Sequence, residues 1–154
     1  MAGAKDVAKL RAETGAGVMD CKKALLDAGD DYEKAKALIK ERGLAKAAKK
    51  SDREANQGLV ESYIHAGGRI GALVELASET DFVARGEEFK QLARSIAMQV
   101  AAMEPGDVDE LLKQDYIKEP GKTISDLVTT LAASTGENVQ VRRIARFELG
   151  KASS

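Results

Sequence analysis

The chain has 154 residues, of which 44% are hydrophobic and 32% charged, so it has enough apolar residues to form a globular core. Its formal net charge of −1 and its aromatic content of 4% disfavour strong binding to phosphate backbones and base stacking on single-stranded nucleic acid. One cysteine and one histidine exclude an intramolecular disulfide and a four-ligand zinc site.

The charge is distributed unevenly along the chain. Residues 1–50 carry 12 Lys and Arg against 8 Asp and Glu, whereas the remaining residues carry 12 against 17. A basic first third and an acidic body predict two modules. The N-terminus has no apolar signal core, and no apolar run reaches the roughly 18 residues of a membrane span, so we expect a cytoplasmic protein without a membrane partner.

The first 43 residues predict a three-helix bundle. Helices are expected over residues 6–13 and 18–28, and a third helix is expected to be capped by Asp30 and closed by Gly43. Their inner faces are predicted to contain Val7, Leu10, Met19, Cys21, Leu25, Leu26, Tyr32, Ala35, Leu38 and Ile39.

Residues 44–57 predict a basic linker between the two modules. Lys46, Lys49, Lys50 and Arg53 are interspersed with alanines, a pattern that also fits a frayed helix. Such basic charge is more often solvated than part of a binding patch.

Residues 58–66 and 69–79 predict a β-hairpin that turns at Gly67 and Gly68. Apolar residues alternate in both strands, with Val60 and Ile64 on one face of the first strand, and predict a sheet with one solvated face. A helix over residues 87–103 has apolar residues at helical spacing and is expected to pack on that sheet.

The last third predicts a short acidic helix over 108–116, a helix capped by Thr123, and a final strand over 138–149. Val139, Val141, Ala145 and Phe147 are expected on one side of that strand, and Arg142 and Arg146 on the other. Residues 151–154 are expected to be disordered. Residues 58–150 therefore predict an α+β domain with an antiparallel sheet of about three strands, whose open edges are a natural place for a second copy to dock.

The segment after the second predicted strand contains two adjacent apolar residues in a turn. Thr80 and Asp81 are both suited to cap the helix that follows. Phe82 has two interpretations: a core residue folded under the turn, or an aromatic anchor held out for a partner. Its spacing of seven from Phe89 would place both on one helix face, unless Gly86 interrupts the helix.

No catalytic constellation emerges from the sequence. The Gly121-Lys122-Thr123 segment lacks the first glycine of a phosphate-binding loop, because position 116 is Tyr116. Cys21 is expected in the core and His65 at the surface, so they make a poor nucleophile and base. We therefore expect a binding protein rather than an enzyme, with no cofactor and no metal site.

Four segments, in order, resemble the bacterial elongation factor Ts family. They are residues 10–25 (LRAETGAGVMDCKKAL), 65–71 (HAGGRIG), 80–85 (TDFVAR) and 136–143 (GENVQVRR). The resemblance spans nearly the whole chain. It departs from the family at Ala77 and Ser78, where many members carry Asn and Cys, and in having a single core unit.

The resemblance implies guanine nucleotide exchange on elongation factor Tu, in its GDP-bound and nucleotide-free forms, during translation. It implies an N-terminal module like a ubiquitin-associated domain, a homodimer as in other short members, and no direct contact with nucleic acid. The residues it assigns to Tu binding are Val18, Met19 and Lys23 in the docking segment, Thr80, Asp81, Phe82 and Val83 in the wedge beside the magnesium site, and His65 and Gly67 in the hairpin.

Other functions remain open at this point. A ribosome- or RNA-associated protein would use the basic linker and bind RNA in a salt-dependent manner. A small enzyme would use Cys21 and His65 and be inactivated by a thiol reagent. A plain interaction module would bind Tu without changing nucleotide release.

Overall fold

The computed structural model describes residues 3–151, which form the predicted α+β fold of helices and an antiparallel sheet. Of the predicted tail, residues 152–154 lie outside the described part of the chain. The elements in chain order are α1 (Ala4–Thr14), α2 (Val18–Asp27), α3 (Tyr32–Lys50), β1 (Gln57–Ile64), β2 (Ile70–Ser78), α4 (Asp81–Ala84), α5 (Glu87–Met103), α6 (Val108–Lys113), α7 (Ile124–Thr135) and β3 (Gln140–Glu148).

Two compact units divide these elements. The first comprises Met1–Arg53 and Thr129–Glu137, and the second comprises Glu54–Val128 and Asn138–Ser154. Helix α7 therefore contributes residues to both units. Among residues 3–151, none of the helices combines the length and apolar character needed to span a bilayer.

In the first unit, α1, α2 and α3 pack on one another around a small apolar core, as predicted. Gly15 ends α1 in the left-handed conformation, with a φ of 73°, and its N–H donates to the Arg11 carbonyl. The tight turn from Gly15 to Gly17 then starts α2. The core consists of Leu10, Ala16, Cys21, Ala24, Leu25, Ala35 and Ile39.

Helix α3 differs from the prediction at both ends. Its N-cap is Asp31, whose carboxylate accepts from the Lys34 N–H at 3.1 Å, whereas Asp30 adopts a φ of 65° in the preceding turn. The helix continues through Gly43 to Lys50, so the predicted end at Gly43 is wrong. The residues that follow Gly43 are mostly alanine, leucine and lysine, which have high helix propensity and outweigh one glycine.

In the second unit, β1, β2 and β3 form an antiparallel sheet in that order, and α5 packs on the sheet. The predicted β1–β2 hairpin is confirmed, with Gly67 and Gly68 at φ values of 91° and 72° in its turn. One face of α5 is buried, including Phe89, Ile96 and Val100. The predicted packing of this helix on the sheet is therefore confirmed.

A β-bulge in the third strand changes which side chains face α5. Glu75 pairs with Arg143 but Leu76 pairs with Val141, so Arg142 is an extra residue in β3. The extra residue reverses the alternation of faces along the strand. Val141 is consequently buried, whereas Phe147 is 73% exposed. The prediction that Val141 and Phe147 share a face is wrong for this reason.

Arg146 also lies on the opposite face from the one expected. The extra residue turns its side chain toward the helical layer, where Nε donates to the Ala101 carbonyl at 3.0 Å. Its guanidinium also contacts Glu148 at 2.8 Å and Glu104 at 3.6 Å. The long arginine stem is largely buried while its charge is satisfied by these partners.

Buried Gln99 of α5 orders the connection between α6 and α7. Its Nε2 donates to the Asp115 carbonyl at 3.0 Å, and its Oε1 accepts from the Ile117 N–H at 3.1 Å. Thr123 then begins α7, since its hydroxyl oxygen accepts from the Asp126 N–H at 3.1 Å. The predicted capping role of Thr123 is confirmed.

Candidate functional site

The turn after β2 is held by hydrogen bonds at its base and at its cap. Ser78 is fully buried, and its hydroxyl donates to the Thr80 carbonyl at 2.8 Å. Thr80 caps α4, with its hydroxyl oxygen accepting from the Val83 N–H at 3.3 Å. Glu79 accepts from the Asn138 N–H at 2.7 Å, which joins the turn to the start of β3. The backbone of the turn is therefore fixed by the folded sheet.

Phe82 projects from this turn into solvent. Its side chain is 83% exposed, whereas Ala84 is 6% exposed and anchors the inner side of the same helical turn. Val83 is half-buried. Large exposed aromatic side chains are costly to leave in water and are typical of interface anchors. Of the two interpretations left open by the sequence, the core residue is wrong.

Gly86 separates Phe82 from Phe89. It lies between α4 and α5, where it is the N-cap of α5 with an extended ψ of 149° and its N–H donates to the Val83 carbonyl at 3.0 Å. Phe89 is 1% exposed, so the seven-residue spacing does not place the two rings on one face. Because the helical conformation is interrupted at Gly86, Phe82 does not belong to α5, the helix that packs on the sheet.

Asp81 lies beside Phe82 at the first position of α4 and is paired with Arg85. The Arg85 guanidinium contacts the Asp81 carboxylate through one terminal nitrogen, and its Nε donates to the Asp81 carbonyl at 3.4 Å. Both side chains are exposed. The tip of the turn thus presents an aromatic ring next to a carboxylate whose charge is balanced by an arginine.

The first unit presents a second candidate surface on α2. Val18 and Met19 are 39% and 73% exposed, and Lys23 lies one turn after Met19. The same helix buries Cys21, Ala24 and Leu25 on its other side. Met19 is exposed rather than internal, so its predicted place in the core is wrong.

Leu26 was also expected inside the bundle but is 75% exposed. It extends the outward face of α2 by one turn beyond Lys22 and borders a shallow groove between α1 and α2. Hydrophobicity and spacing alone could not separate Leu25 from Leu26, because adjacent leucines at the end of a helix fit the inner face almost equally well.

His65 and Gly67 lie at the tip of the β1–β2 hairpin. His65 Nδ1 is 3.1 Å from the Tyr63 hydroxyl, and its backbone N–H donates to the Ile70 carbonyl at 2.9 Å. Gly67 is exposed. The β2 strand runs from this tip to the turn that carries Phe82, and its nine residues span roughly 30 Å at about 3.3 Å each. The structure therefore does not bring the hairpin residues together with Phe82.

An exposed apolar face of the sheet was missed by the sequence analysis. Val60 and Ile64 share a face, as predicted, but it is the face opposite α5, and they are 63% and 64% exposed. Ile64, Gly71 and Phe147 form one row across the three strands. We call the exposed residues Val60, Ile64, Leu73, Phe147 and Leu149 the outer-sheet patch.

The sequence did not reveal this face because β1 carries apolar residues on both of its faces. The inward residues of β1 alternate as Leu59, Glu61 and Tyr63, so both faces of the strand contain apolar residues and the sequence does not reveal which one is buried. In β3 the bulge at Arg142 had the same effect.

The structure also tests whether Cys21 could act as a nucleophile and whether a metal site is present. Cys21 is fully buried, and burial raises the pKa of its thiol, whereas a nucleophilic cysteine needs a lowered pKa. Within residues 3–151, His, Cys, Asp and Glu form no group of three or more that could hold a metal ion.

Comparison with known proteins identifies close relatives. The family model described as Elongation factor TS matches residues 79–154. Elongation factor Ts of Caldanaerobacter subterraneus subsp. tengcongensis is 42% identical over 196 aligned positions, which cover 98% of this chain and 98% of the relative. Elongation factor Ts of Carboxydothermus hydrogenoformans is 43% identical over 190 positions, covering 94% of this chain and 88% of the relative. Both alignments are longer than the 154-residue chain, so they contain gaps in it.

Proposed function

Because this chain belongs to the elongation factor Ts family, it is a translation elongation factor, and we propose that it promotes GDP release from elongation factor Tu. The observation that carries the proposal is the 83% exposure of Phe82 on a turn fixed by its own hydrogen bonds. A rigid, exposed ring can enter a partner without the factor having to unfold. Nucleotide exchange makes and breaks no covalent bond, so in this role the factor is not an enzyme in the usual sense.

In this mechanism the Thr80–Val83 turn approaches the magnesium and phosphate site of Tu. Phe82 inserts between side chains of Tu, Asp81 lies beside the magnesium-binding elements, and Thr80 and Val83 hold the turn. The factor binds nucleotide-free Tu more tightly than GDP-bound Tu. Linkage makes the effect mutual, so that what weakens GDP binding also lets incoming nucleotide displace the factor.

The energetics require more than one contact. Each tenfold acceleration of release needs about 1.4 kcal/mol. Burying one phenylalanine side chain contributes roughly 1.5–3 kcal/mol. Phe82 therefore accounts for about one to two decades, and further acceleration requires binding energy from other surfaces.

The exposed face of α2 is the surface we propose for docking on the nucleotide-binding domain of Tu. Val18 and Met19 supply apolar area, and Lys23 supplies a positive charge. Leu26 enlarges the same face. A groove beside it, between α1 and α2, includes Val7 and Leu25 in its lining.

We propose a further contact for His65 and Gly67 with another domain of Tu. It is supported by their exposure at a hairpin tip that lies far from Phe82 along β2. Two contacts separated by roughly 30 Å would distribute the factor over a large partner rather than over a single cleft.

We also propose that two copies of this chain associate through the outer-sheet patch. Contiguous exposed apolar surface is typical of an interface. The patch is bordered by the Glu75–Arg143 ion pair of 2.7 Å, so its rim carries opposite charges that do not repel a second copy. A two-fold axis would bring the same patch together with itself. The homodimer expected from the open sheet edges is thus proposed on the face instead.

RNA binding by the basic linker is the less favoured function. Arg42 is paired with Asp27 at 2.6 Å and Lys46 with Asp20 at 2.9 Å, so part of the positive charge of α3 is already balanced. RNA binding that weakens steeply with salt would favour this alternative. We expect no direct nucleic-acid contact, no cofactor, and action in the cytoplasm, where translation takes place.

The decisive experiment measures release of fluorescent GDP from purified Tu by stopped flow. The wild-type factor should accelerate release, and Phe82→Ala should reduce the acceleration by about tenfold or more, in line with the burial energy of one ring. Ile117→Ala, which truncates another exposed apolar side chain of the second unit, is the control and should match wild type. Release unaffected by the wild-type protein would refute the proposed function.

A further inference from the structure

Arg85 makes three contacts with the same residue, Asp81, two through its side chain and one through its backbone. A terminal guanidinium nitrogen binds the Asp81 carboxylate, and Nε donates to the Asp81 carbonyl at 3.4 Å. The Arg85 N–H also donates to that carbonyl, at 3.0 Å. The side chain of Arg85 thus folds back along the turn and reaches the residue next to Phe82.

The four residues of α4 cannot hold a helical turn by themselves, because helix nucleation is unfavourable and four residues add little beyond it. Thr80 closes the turn at its start through the Val83 N–H. Arg85 closes it at its end through Asp81. The side-chain contacts at both ends therefore add to the hydrogen bonds at the base of the turn in holding the conformation that presents Phe82 and Asp81.

The Asp81–Arg85 ion pair also sets the net charge beside Phe82 at the end of the turn. Asp81 is the only acidic residue of α4, and Arg85 is the basic residue that contacts it. A bare carboxylate approaching a phosphate group would be repelled, whereas a paired carboxylate approaches with its charge balanced. The contact also restricts the rotamers of Asp81, which lowers the entropy lost when that side chain is fixed in a complex.

We propose that Arg85 is a positioning residue for nucleotide exchange, acting through Asp81 by holding its carboxylate on the turn that presents Phe82. The inference rests on the proposed exchange function. Arg85 orients Asp81 before the complex forms, and it does not itself contact the nucleotide. Arg85 is expected to affect GDP release within the complex rather than docking on Tu, because docking is proposed to depend on the separate α2 face.

The test measures the GDP release rate of Tu over a range of factor concentrations, which gives a maximal rate and a half-saturating concentration. Exposed ion pairs are weak, so Arg85→Gln should lower the maximal rate by about two- to fivefold and leave the half-saturating concentration unchanged. Arg85→Lys retains a charge at the same spacing and should recover most of the rate. Arg94→Gln removes one positive charge from an exposed position of α5 and should match wild type.

A double-mutant cycle separates action through Asp81 from direct contact with Tu. In the Asp81→Asn background, Arg85→Gln should have no further effect, because the carboxylate that it positions is absent. An equal loss in both backgrounds would overturn the inference by showing that Arg85 acts independently of Asp81. A wild-type maximal rate for Arg85→Gln would also overturn it.

The same data distinguish this inference from the proposed function. If Phe82→Ala is impaired while Arg85→Gln equals wild type, the exchange function stands and the role of Arg85 is wrong. If the wild-type factor leaves GDP release unchanged, the proposed function fails and the role of Arg85 fails with it.

Discussion

Glu13 of α1 accepts a hydrogen bond of 2.5 Å from the hydroxyl of Tyr32, the first residue of α3. Lys36 lies 3.5 Å from the same carboxylate, and the Lys9 ammonium lies 4.6 Å from the centre of the Tyr32 ring. These contacts join the first and third helices at the edge of a small core. They belong to the architecture of the first unit, on which the proposed docking face of α2 depends.

Removal of the Tyr32 hydroxyl is expected to weaken this unit. Tyr32→Phe keeps the ring but deletes the hydrogen bond, so it should lower the free energy of unfolding by about 0.5–1.5 kcal/mol. Urea denaturation followed by circular dichroism measures this change. Tyr63→Phe, a hydroxyl deletion on the solvated hairpin, is the matched control and should have a smaller effect. Equal stability of Tyr32→Phe and wild type would contradict the prediction.

The Tyr32–Glu13 hydrogen bond also predicts that the free energy of unfolding depends on pH. The Tyr32 hydrogen bond, followed by Lys36, lowers the pKa of Glu13 below its ordinary value of 4.5. The ionised carboxylate therefore stabilises the fold fully above pH 4.5, and this contribution is lost as the pH falls through the lower folded-state pKa. Glu13→Gln should be less stable than wild type at pH 7, and the difference should shrink in acid. A difference that grows in acid would contradict the assigned direction.

Phe82 and Phe89 should respond in opposite ways to truncation. Phe89 is 1% exposed, so Phe89→Ala should destabilise the protein by about 3–5 kcal/mol. Phe82 is 83% exposed, so Phe82→Ala should change the free energy of unfolding by no more than about 0.5 kcal/mol while impairing GDP release. Thermal melts and release assays on the same preparations compare the two. A large loss of stability in Phe82→Ala would contradict its place in solvent.

The sequence predicted most elements and the buried face of α5, but it did not predict the buried faces of β1 and β3. The hairpin at Gly67 and the helix containing Phe89 were correctly predicted because turn glycines and helical periodicity are local signals. The exposure of Phe82 was left open, because an aromatic residue in a turn suits both a core and an interface. The exposure of Phe147 was missed, because the bulge at Arg142 is set by pairing with β2 and has no local sequence signal.

Gly58 should be intolerant of any side chain. It adopts a φ of 139°, and an added Cβ would lie 2.1 Å from the Leu76 carbonyl oxygen. Gly58→Ala must therefore shift the β1–β2 pairing, and we expect a loss of stability of at least about 1–3 kcal/mol. Gly67→Ala is the matched control, since Gly67 also has a positive φ but no atom within 4 Å of the added Cβ. Gly67→Ala should therefore lose less stability than Gly58→Ala. Equal losses measured by calorimetry would show that the short distance to the Leu76 carbonyl oxygen is not the cause.

Met19 is expected to contribute to docking rather than to stability. It is 73% exposed on α2, so Met19→Asp should leave the melting temperature nearly unchanged. Placing a charge on the proposed interface should raise the dissociation constant for Tu by about tenfold or more, equivalent to about 1.4 kcal/mol. Leu44→Asp is the control on α3, where Leu44 is 44% exposed. Isothermal titration with Tu measures both, and similar affinities for Met19→Asp and wild type would argue against this docking face.

The outer-sheet patch makes the proposed homodimer testable without Tu. Ile64 and Phe147 flank Gly71 in one row, and the Ile64 side chain leans over this glycine, because a Cβ added to Gly71 would lie 2.8 Å from Ile64 Cδ1. The apolar row is therefore continuous across all three strands. Phe147 is 73% exposed, so Phe147→Lys should leave the fold of each subunit intact while placing two like charges at a two-fold interface.

Sedimentation velocity at micromolar concentrations should give a dimer for wild type and a monomer for Phe147→Lys, because a buried, unpaired ammonium is costly. Met103→Lys introduces the same charge at a residue that is 47% exposed at the end of α5, and it should remain a dimer. Circular dichroism checks that all three proteins are folded. A wild-type protein that sediments as a monomer would contradict the proposed dimer, and a dimeric Phe147→Lys would exclude the outer-sheet patch as its interface.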